Sequence, residues 1–252
     1  MIVGKHALVT GGGSGVGRAI ALALAEAGVD VTICGPREAA LAEVTQENKH
    51  ISGLVADVTD EAEMAALYEK AEAARGPIDI VVANAGMSGS APAHRTSMAD
   101  WQRTLDVNLT GSFLTVKPAL AGMAARKTGR IVFVASTAGL KGYGYVAPYV
   151  AAKHGVVGLM RALAVETAKS GVTVNAVCPG FVETEMLEES VQRIVDKTGR
   201  SVDEARASLA SVNPQGRFIQ PQEVAAAVIW LCGDAAGSIT GQAISISGGE
   251  TW

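Results

Sequence analysis

This sequence predicts an α/β fold built on a parallel, doubly wound sheet, and three observations predict it. Short apolar runs alternate with helical stretches along most of the chain. The first of these runs breaks into a glycine-rich turn that opens a helix. Others, such as Ile78-Asp79-Ile80-Val81-Val82-Ala83, are almost continuously apolar, as strands covered on both faces are.

Lys5-His6-Ala7-Leu8-Val9-Thr10 reads as the first strand, Gly11-Gly12-Gly13-Ser14-Gly15-Val16-Gly17 as the turn, and Arg18 to Ala27 as the helix. Strand, glycine loop and helix in that order make a dinucleotide-type turn, in which N–H groups at the helix N-terminus and the helix dipole receive a pyrophosphate. The glycines do not fit G-x-G-x-x-G, and Arg18-Ala19 stands where a P-loop needs Lys-Ser or Lys-Thr. They fit T-G-x-x-x-G-x-G, on Thr10, Gly11, Gly15 and Gly17. A merely flexible glycine turn is the competing reading.

The second strand, Val31-Thr32-Ile33-Cys34, ends at Gly35-Pro36-Arg37. An NAD site usually carries an acid there, to bind the ribose hydroxyls and repel a 2′-phosphate. Gly35 offers neither bond nor repulsion, and the planar fork of Arg37 suits a phosphate, so NADP(H) is favoured with NAD(H) as the alternative. Arg37 as an ordinary solvated residue at a helix start is the plainer reading. A helical pattern from Arg37 to about Asn48 leads to a third strand, Ile51 to Ala56, ending in Asp57-Val58. Asp57 either accepts from an adenine amino group or caps the helix that opens near Thr59-Asp60 and runs to Arg75. The fourth strand runs into Asn84-Ala85-Gly86, whose small residues let the backbone approach a flat cofactor. Four strands alternating with helices, and no linker, make a right-handed doubly wound sheet the simplest architecture.

The bulk numbers agree. The 252 residues suit one large domain or two small ones, and 48% hydrophobic content supports a sizeable core. A net charge of −4 without a basic block recommends neither nucleic acid nor an anionic membrane as partner. Cys34, Cys178 and Cys232 are odd in number, far apart and set in apolar stretches, which implies buried thiols in a reducing compartment. His6, His50, His94 and His154 are scattered without ligand spacing, so no metal is expected. With no signal peptide and no apolar run near the roughly 18 residues of a membrane span, a soluble cytoplasmic protein is expected.

Ser97-Met98-Ala99-Asp100 is a capping-box pattern opening a helix that carries Asn108 and reaches about Met123. A buried Asn must find partners, and from position alone Asn108 is either a hydrogen-bonding hub or part of a proton path. The fifth strand, Arg130 to Ala135, puts Ser136 at its carboxyl end, where open α/β sheets place their ligands. A loop with Tyr143 and Tyr145 follows, then a helix from about Pro148 to Lys169. On that helix Tyr149 and Lys153 stand four apart and share a face. Hydride transfer to a ketone leaves charge on oxygen, and Tyr149 is the candidate acid. Its ordinary pKa near 10 suits neutral pH poorly, and one ammonium about 4 Å away supplies roughly the 4 kcal/mol needed to lower it by three units. Lys153 is the residue placed to do so, and Ser136 would hydrogen-bond the substrate oxygen against Tyr149. A snorkelling surface pair is the bland reading of Tyr149 and Lys153.

Over essentially its whole length the sequence resembles the short-chain dehydrogenase/reductase family, a single Rossmann-type domain (here 1–252) with a seven-stranded parallel sheet, helices on both faces and a small helical substrate lid. The resemblance implies cofactor contacts at Gly11, Ser14, Gly15, Val16, Gly17, Arg37, Asp57, Val58, Asn84, Ala85, Gly86, Tyr149, Lys153, Pro179, Gly180, Val182 and Thr184. It implies a catalytic tetrad of Asn108, Ser136, Tyr149 and Lys153, with Asn108 holding a relay water and Lys153 also binding the nicotinamide ribose. Two departures stand out: Ala83 replaces the first Asn of an N-N-A-G motif, and Pro36-Arg37 replaces the more usual immediate Arg of NADP-binding members. The segment from about 183 to 214 interrupts the βα rhythm and is expected to be the lid, plain surface helices being the alternative. Ser136, Tyr143, Tyr145, Tyr149, Met186 and Leu187 are the expected substrate contacts. Pro221 starts a helix to Cys232, and Ala243 to Ser247 forms the seventh strand.

Ser136-Thr137-Ala138-Gly139, His154 to Gly158, Val174 to Thr184 and Gly216-Arg217-Phe218 are similar to bacterial polyketide ketoreductases and to 3-oxoacyl-ACP and acetoacetyl-CoA reductases. The expected reaction is reduction of a 3-oxoacyl thioester, on CoA or ACP, or of a related β-keto compound. Glu183, Glu185, Glu188 and Glu189 in the lid disfavour an acidic carrier protein. The alternatives are NAD-dependent oxidation of a secondary alcohol, 3-hydroxyacyl-CoA or sugar, and a non-catalytic dinucleotide sensor. A homotetramer is implied by the resemblance alone.

Overall fold

Seven strands, β1 (His6–Thr10), β2 (Asp30–Gly35), β3 (Ile51–Val55), β4 (Ile80–Ala83), β5 (Gly129–Val134), β6 (Val172–Pro179) and β7 (Ala243–Ile246), make one sheet in the order β3-β2-β1-β4-β5-β6-β7. Every neighbouring pair is parallel. The computed structural model describes residues 2–252, so of the expected domain only Met1 lies outside the described residues.

The period of two along each strand sends alternate residues to opposite faces. Ile33, Val9, Val82 and Val132 lie side by side across β2, β1, β4 and β5 and bury on one face, under α1 (Gly15–Glu26), α2 (Glu38–Glu47) and α9 (Pro221–Cys232). Their neighbours Leu8, Val81, Ile131 and Val174 bury on the other, under α3 (Glu61–Arg75), α5 (Gly111–Arg126) and α6 (Ala147–Thr167). The order reverses between β1 and β4, so a crevice opens there at the carboxyl ends of the strands.

The helix expected from Ser97 onward is three pieces: α4 (Met98–Leu105), a π-helical turn (Asp106–Thr110) and α5. Ser97 caps it by accepting from Asp100 N at 3.0 Å, and Lys127 ends it in the left-handed region at φ 53°. The 183–214 segment holds α7 (Glu185–Thr198) and α8 (Val202–Ala210), the latter opened by a complete capping box between Ser201 and Glu204. These two helices carry a small core of their own, with Leu187, Val191, Ala205 and Phe218 at its centre. A parallel bridge between Val182 and Ile219 closes the segment at its base.

Candidate active site

At the mouth of β1, two glycines take the left-handed backbone that glycine tolerates, Gly11 at φ 64° and Gly15 at φ 52°. At Gly17, a Cβ would meet the Gly11 carbonyl at 2.2 Å and Asn84 Nδ2 at 2.5 Å, so only glycine lets α1 pack this close. Thr10 ties the loop to the end of β4. Its Oγ1 accepts from Asn84 N and Ala85 N, both at 3.1 Å, while Asn84 Nδ2 donates to the Thr10 carbonyl at 2.9 Å. Asn84 thereby supplies the link across the crevice although Ala83 has lost its amide. Ser14 stands at the N-cap of α1 with no capping bond of its own, and Arg37 Nη2 donates to its hydroxyl at 3.3 Å. Ser14, Arg37, Gly13, Ala40, Glu43 and Glu185 line a groove over the loop. Thr184 also lies there: a Cβ on Gly15 would touch its methyl at 3.3 Å. The residues therefore fit a dinucleotide, with Gly11 to Gly17 as its phosphate cradle.

Asp57 and Val58, just past the end of β3, have different surroundings. Asp57 is exposed, and its Oδ1 accepts from both N and Oγ1 of Thr59, at 2.9 and 2.8 Å, which holds its carboxyl below the usual range. The cap of α3 is Asp60, accepting from Ala62 N and Glu63 N, so the capping alternative for Asp57 is corrected. Val58 is buried against Gly111, where a Cβ would meet it at 2.7 Å.

The reacting groups gather at the ends of β5 and β6. Ser136 has extended backbone at the tip of β5, and its Oγ accepts from Ala138 N at 3.1 Å. It also hydrogen-bonds the Tyr149 phenol. Lys153, 3% exposed, donates from Nζ to the Val134 carbonyl at 2.9 Å and lies 5.6 Å from the centroid of the Tyr149 ring. The pair is no surface snorkel. Burial pushes the Tyr149 phenol above its ordinary range, offset in part by the Ser136 hydrogen bond, and it brings Lys153 down to about 8. The lowering of the phenol expected from Lys153 on spacing is not among the influences on Tyr149, where burial dominates; the ammonium faces the ring and a backbone carbonyl. The arrangement can hold a proton on Tyr149 and a positive charge beside it.

Asn108 sits fully buried in the π-turn. Its Nδ2 donates to the carbonyls of Met87 and Thr104, both at 2.9 Å, and its Oδ1 accepts from Met87 N at 3.3 Å. Those bonds make its side chain a clamp on the 86–88 loop. Gly86 is the close neighbour, since a Cβ there would lie 2.8 Å from Asn108 Oδ1 and 3.7 Å from Lys153 Nζ.

On the substrate side the expectations divide. Met186 is partly exposed at the start of α7, whereas Leu187 is 3% exposed inside the small core of the helical pair. Spacing could not separate two adjacent apolar residues whose helix phase was unknown. Tyr145 adopts φ 68° and is 68% exposed, with its carbonyl bonded to Ala91 N at 2.8 Å. Tyr143 is half-buried, but its hydroxyl is engaged by Thr137 Oγ1 at 2.6 Å and by Glu250. Pro179 ends β6, and Gly180 donates to the Ile246 carbonyl at 3.0 Å, which fixes the turn beside the crevice.

Sequence reasoning missed three neighbours of the site. Val134 anchors Lys153 through its carbonyl, which no side-chain pattern reports. Cys178 faces the same pocket, its sulfur taking the Ser136 N–H and its thiol pushed up to about 11 by burial. Glu250 arrives from the far end of the chain. Among the described residues no cluster of three His, Cys, Asp or Glu side chains could hold a metal, and no helix is long and apolar enough to cross a membrane.

Residues 5–194 match the family model for short chain dehydrogenases. The chain is 41% identical over 249 residues to a Streptomyces violaceoruber protein carrying the name ketoacyl reductase 1 of the granaticin polyketide synthase, covering 96% of this chain and 92% of that one. It is 38% identical over 251 residues to the acetoacetyl-CoA reductase of Shinella zoogloeoides, covering 98% of each. Among solved structures it superposes on a tryptophan-substituted actinorhodin polyketide ketoreductase with NADPH at TM-score 0.95 and 39% identity, covering 99% of each chain. The chain belongs to the short chain dehydrogenase family of oxidoreductases.

Proposed function

We propose that this chain is an NADPH-dependent ketoreductase acting on a 3-oxoacyl thioester or a related β-keto compound. The observation that carries this is the Ser136–Tyr149–Lys153 group at the sheet's carboxyl edge, half-buried apart from the buried Lys153, opening on the same crevice as the glycine loop. The nicotinamide, when bound, supplies the hydride. Ser136 hydrogen-bonds the ketone oxygen, and Tyr149, whose burial keeps its proton on, donates that proton as charge develops. Lys153 stabilises the phenolate that remains, in a site where burial strengthens the attraction. Asn108 holds the 86–88 loop at the floor. The 183–214 segment is the lid, with Met186 at its edge.

For the cofactor, Gly35 supports NADP(H). Its backbone is not in a region reserved for glycine, and a Cβ there would meet nothing within 4 Å, so an acid would fit. Arg37 and Ser14 stand ready for a 2′-phosphate. A second reading, oxidation of a secondary alcohol with NAD, draws on Glu185, whose carboxylate lies 3.7 Å from Arg37 in the same groove. It draws also on 38% identity over 254 residues to the D-beta-hydroxybutyrate dehydrogenase of Cupriavidus necator. A cytoplasmic homotetramer is part of the proposal, and a CoA ester is its preferred substrate form.

Turnover of ethyl acetoacetate with each reduced cofactor tests the proposal. NADPH is expected to give the higher kcat/KM. Gly35→Asp is expected to raise the KM for NADPH about tenfold or more through like-charge repulsion, with NADH little changed. Equal effects on both cofactors would sink the NADP assignment.

A further inference from the structure

The substrate-side wall of the site is held by a carboxylate from the last residues of the chain. Glu250 is only 2% exposed in its side chain. Its Oε1 accepts from the Tyr143 hydroxyl and pairs with Lys141 Nζ at 2.9 Å, and Lys141 in turn stands 5.0 Å from the centroid of the Tyr143 ring. With that proton given to Glu250, the Tyr143 oxygen accepts from the hydroxyl of Thr137, the residue after Ser136, at 2.6 Å. Burial, and then Glu250, drives the Tyr143 phenol well above its ordinary range, so it stays a donor, and it senses the Tyr149 phenol electrostatically.

The route that brings Glu250 there is specific. Gly248 and Gly249 turn at φ 64° and 95°, and a Cβ on Gly248 would overlap Asn213 at the far end of the helical pair. Thr251 anchors the turn, its N donating to Ser247 Oγ at 3.2 Å and its hydroxyl meeting Ser245 Oγ at 2.6 Å. The other carboxylate oxygen, Oε2, is buried without a hydrogen-bond partner and points at Gly180, where a Cβ would come within 3.1 Å. Such burial is costly, and an apolar side chain would fill the space against Gly180 at lower cost. What the carboxylate adds is directional: all of its bonding goes to Lys141 and Tyr143. The carboxylate therefore spans the two sides of the pocket, the Gly180 turn at its back and the loop after Ser136 at its front.

We propose that Glu250 is a positioning residue for ketone reduction, fixing Tyr143 and Lys141 as one wall of the substrate pocket and so setting which ketones fit. The proposal rests on the ketoreductase reading and goes beyond it. In Glu250→Ala the KM for ethyl acetoacetate is expected to rise about tenfold, with kcat and the Kd for NADPH within about threefold of wild type. Glu250→Gln, which keeps the size and the acceptor for Tyr143, should recover most of that loss. Tyr143→Phe should reproduce the Glu250→Ala effect, and the double variant should be no worse than either single one, because both remove one link. Hydrogen exchange should quicken across residues 137–145 in Glu250→Ala and stay unchanged in the sheet. An unchanged KM, additive effects, or a joint fall of kcat and NADPH binding would each overturn the role. If wild-type enzyme reduces no β-keto ester, the ketoreductase reading fails. Exchange then judges the latch alone, and unchanged exchange at residues 137–145 overturns it.

Discussion

The floor of the crevice and the helical pair above it are built on opposite terms. On the floor, the polar groups Thr10, Asn84, Asn108, Ser136 and Lys153 are each tied to backbone of a neighbouring element or loop. They rest on strand ends whose flanks are closed to solvent, such as Val82, Val132 and Val177 at 0–1% exposure. The helical pair has four buried apolar side chains at its centre, and its further cohesion is on the surface. There Arg206 pairs with Glu183 and Glu188 and stacks 5.0 Å from the Phe218 ring, while Arg193 and Lys197 reach the Ser88 and Ser90 carbonyls. Exposed ion pairs contribute about 0–1 kcal/mol each. Under the proposed function, chemistry therefore sits on the tightly bonded part, beside a helical pair held by fewer buried contacts. The same contrast bears on carrier recognition: Arg206 pairs with two of the four lid glutamates and its one positive charge offsets one of theirs, so that surface is less acidic than the four glutamates alone suggest.

Changes to the floor should cost the most. Lys153→Met is expected to lower kcat/KM by about a thousandfold, within the range for a lost acid–base group. Stability should move the other way. Burial brings Lys153 from 10.5 down to about 8, so between those values the unfolded chain binds the extra proton and stability rises with pH. Below pH 8 the buried charge costs about 3 kcal/mol. Reduction needs that charge, so activity should fall as pH rises through about 8 while the wild-type Tm climbs. In Lys153→Met the Tm at pH 7 should be no lower than wild type, and its climb between pH 8 and 10 should be lost. A Met variant that is less stable at pH 7, with the climb intact, would show that Lys153 is structural.

The helical pair should answer with a smaller and different effect. Leu187→Ala empties part of a core that is small and separate from the two main ones. It should raise the ketone KM about three- to fivefold with kcat nearly unchanged, and move the Tm of the main transition by no more than about 3 °C. An equal loss of kcat and KM performance to that of a floor variant would erase the distinction between the two regions.

How much of this was legible follows the same division. Floor residues lie inside local patterns: Tyr149 and Lys153 are one helical turn apart, the glycines occupy one loop, and Ser136 directly follows a strand. Caps were legible for the same reason, as at Ser97, Ser201 and the Pro221 start of α9. What escaped depends on contacts between distant segments or on the backbone. Glu250 meets Tyr143 across 107 positions. Asn108 was marked, but its partners, the Met87 and Thr104 backbone groups, have no side-chain signature. The packing of Leu187 with Val191, Ala205 and Phe218 sets the phase of α7, which the run around Met186 does not reveal.

The central claim is that the crevice joins a nicotinamide to a ketone under proton control by Tyr149, and labelled hydride tests it most directly. With NADPH deuterated at the transferable position and ethyl acetoacetate as acceptor, wild type should place one deuterium on the carbinol carbon of the 3-hydroxy ester. Tyr149→Phe should still bind NADPH but slow that transfer by about two to four orders of magnitude. Unlabelled alcohol, or undiminished transfer by Tyr149→Phe, would contradict the account.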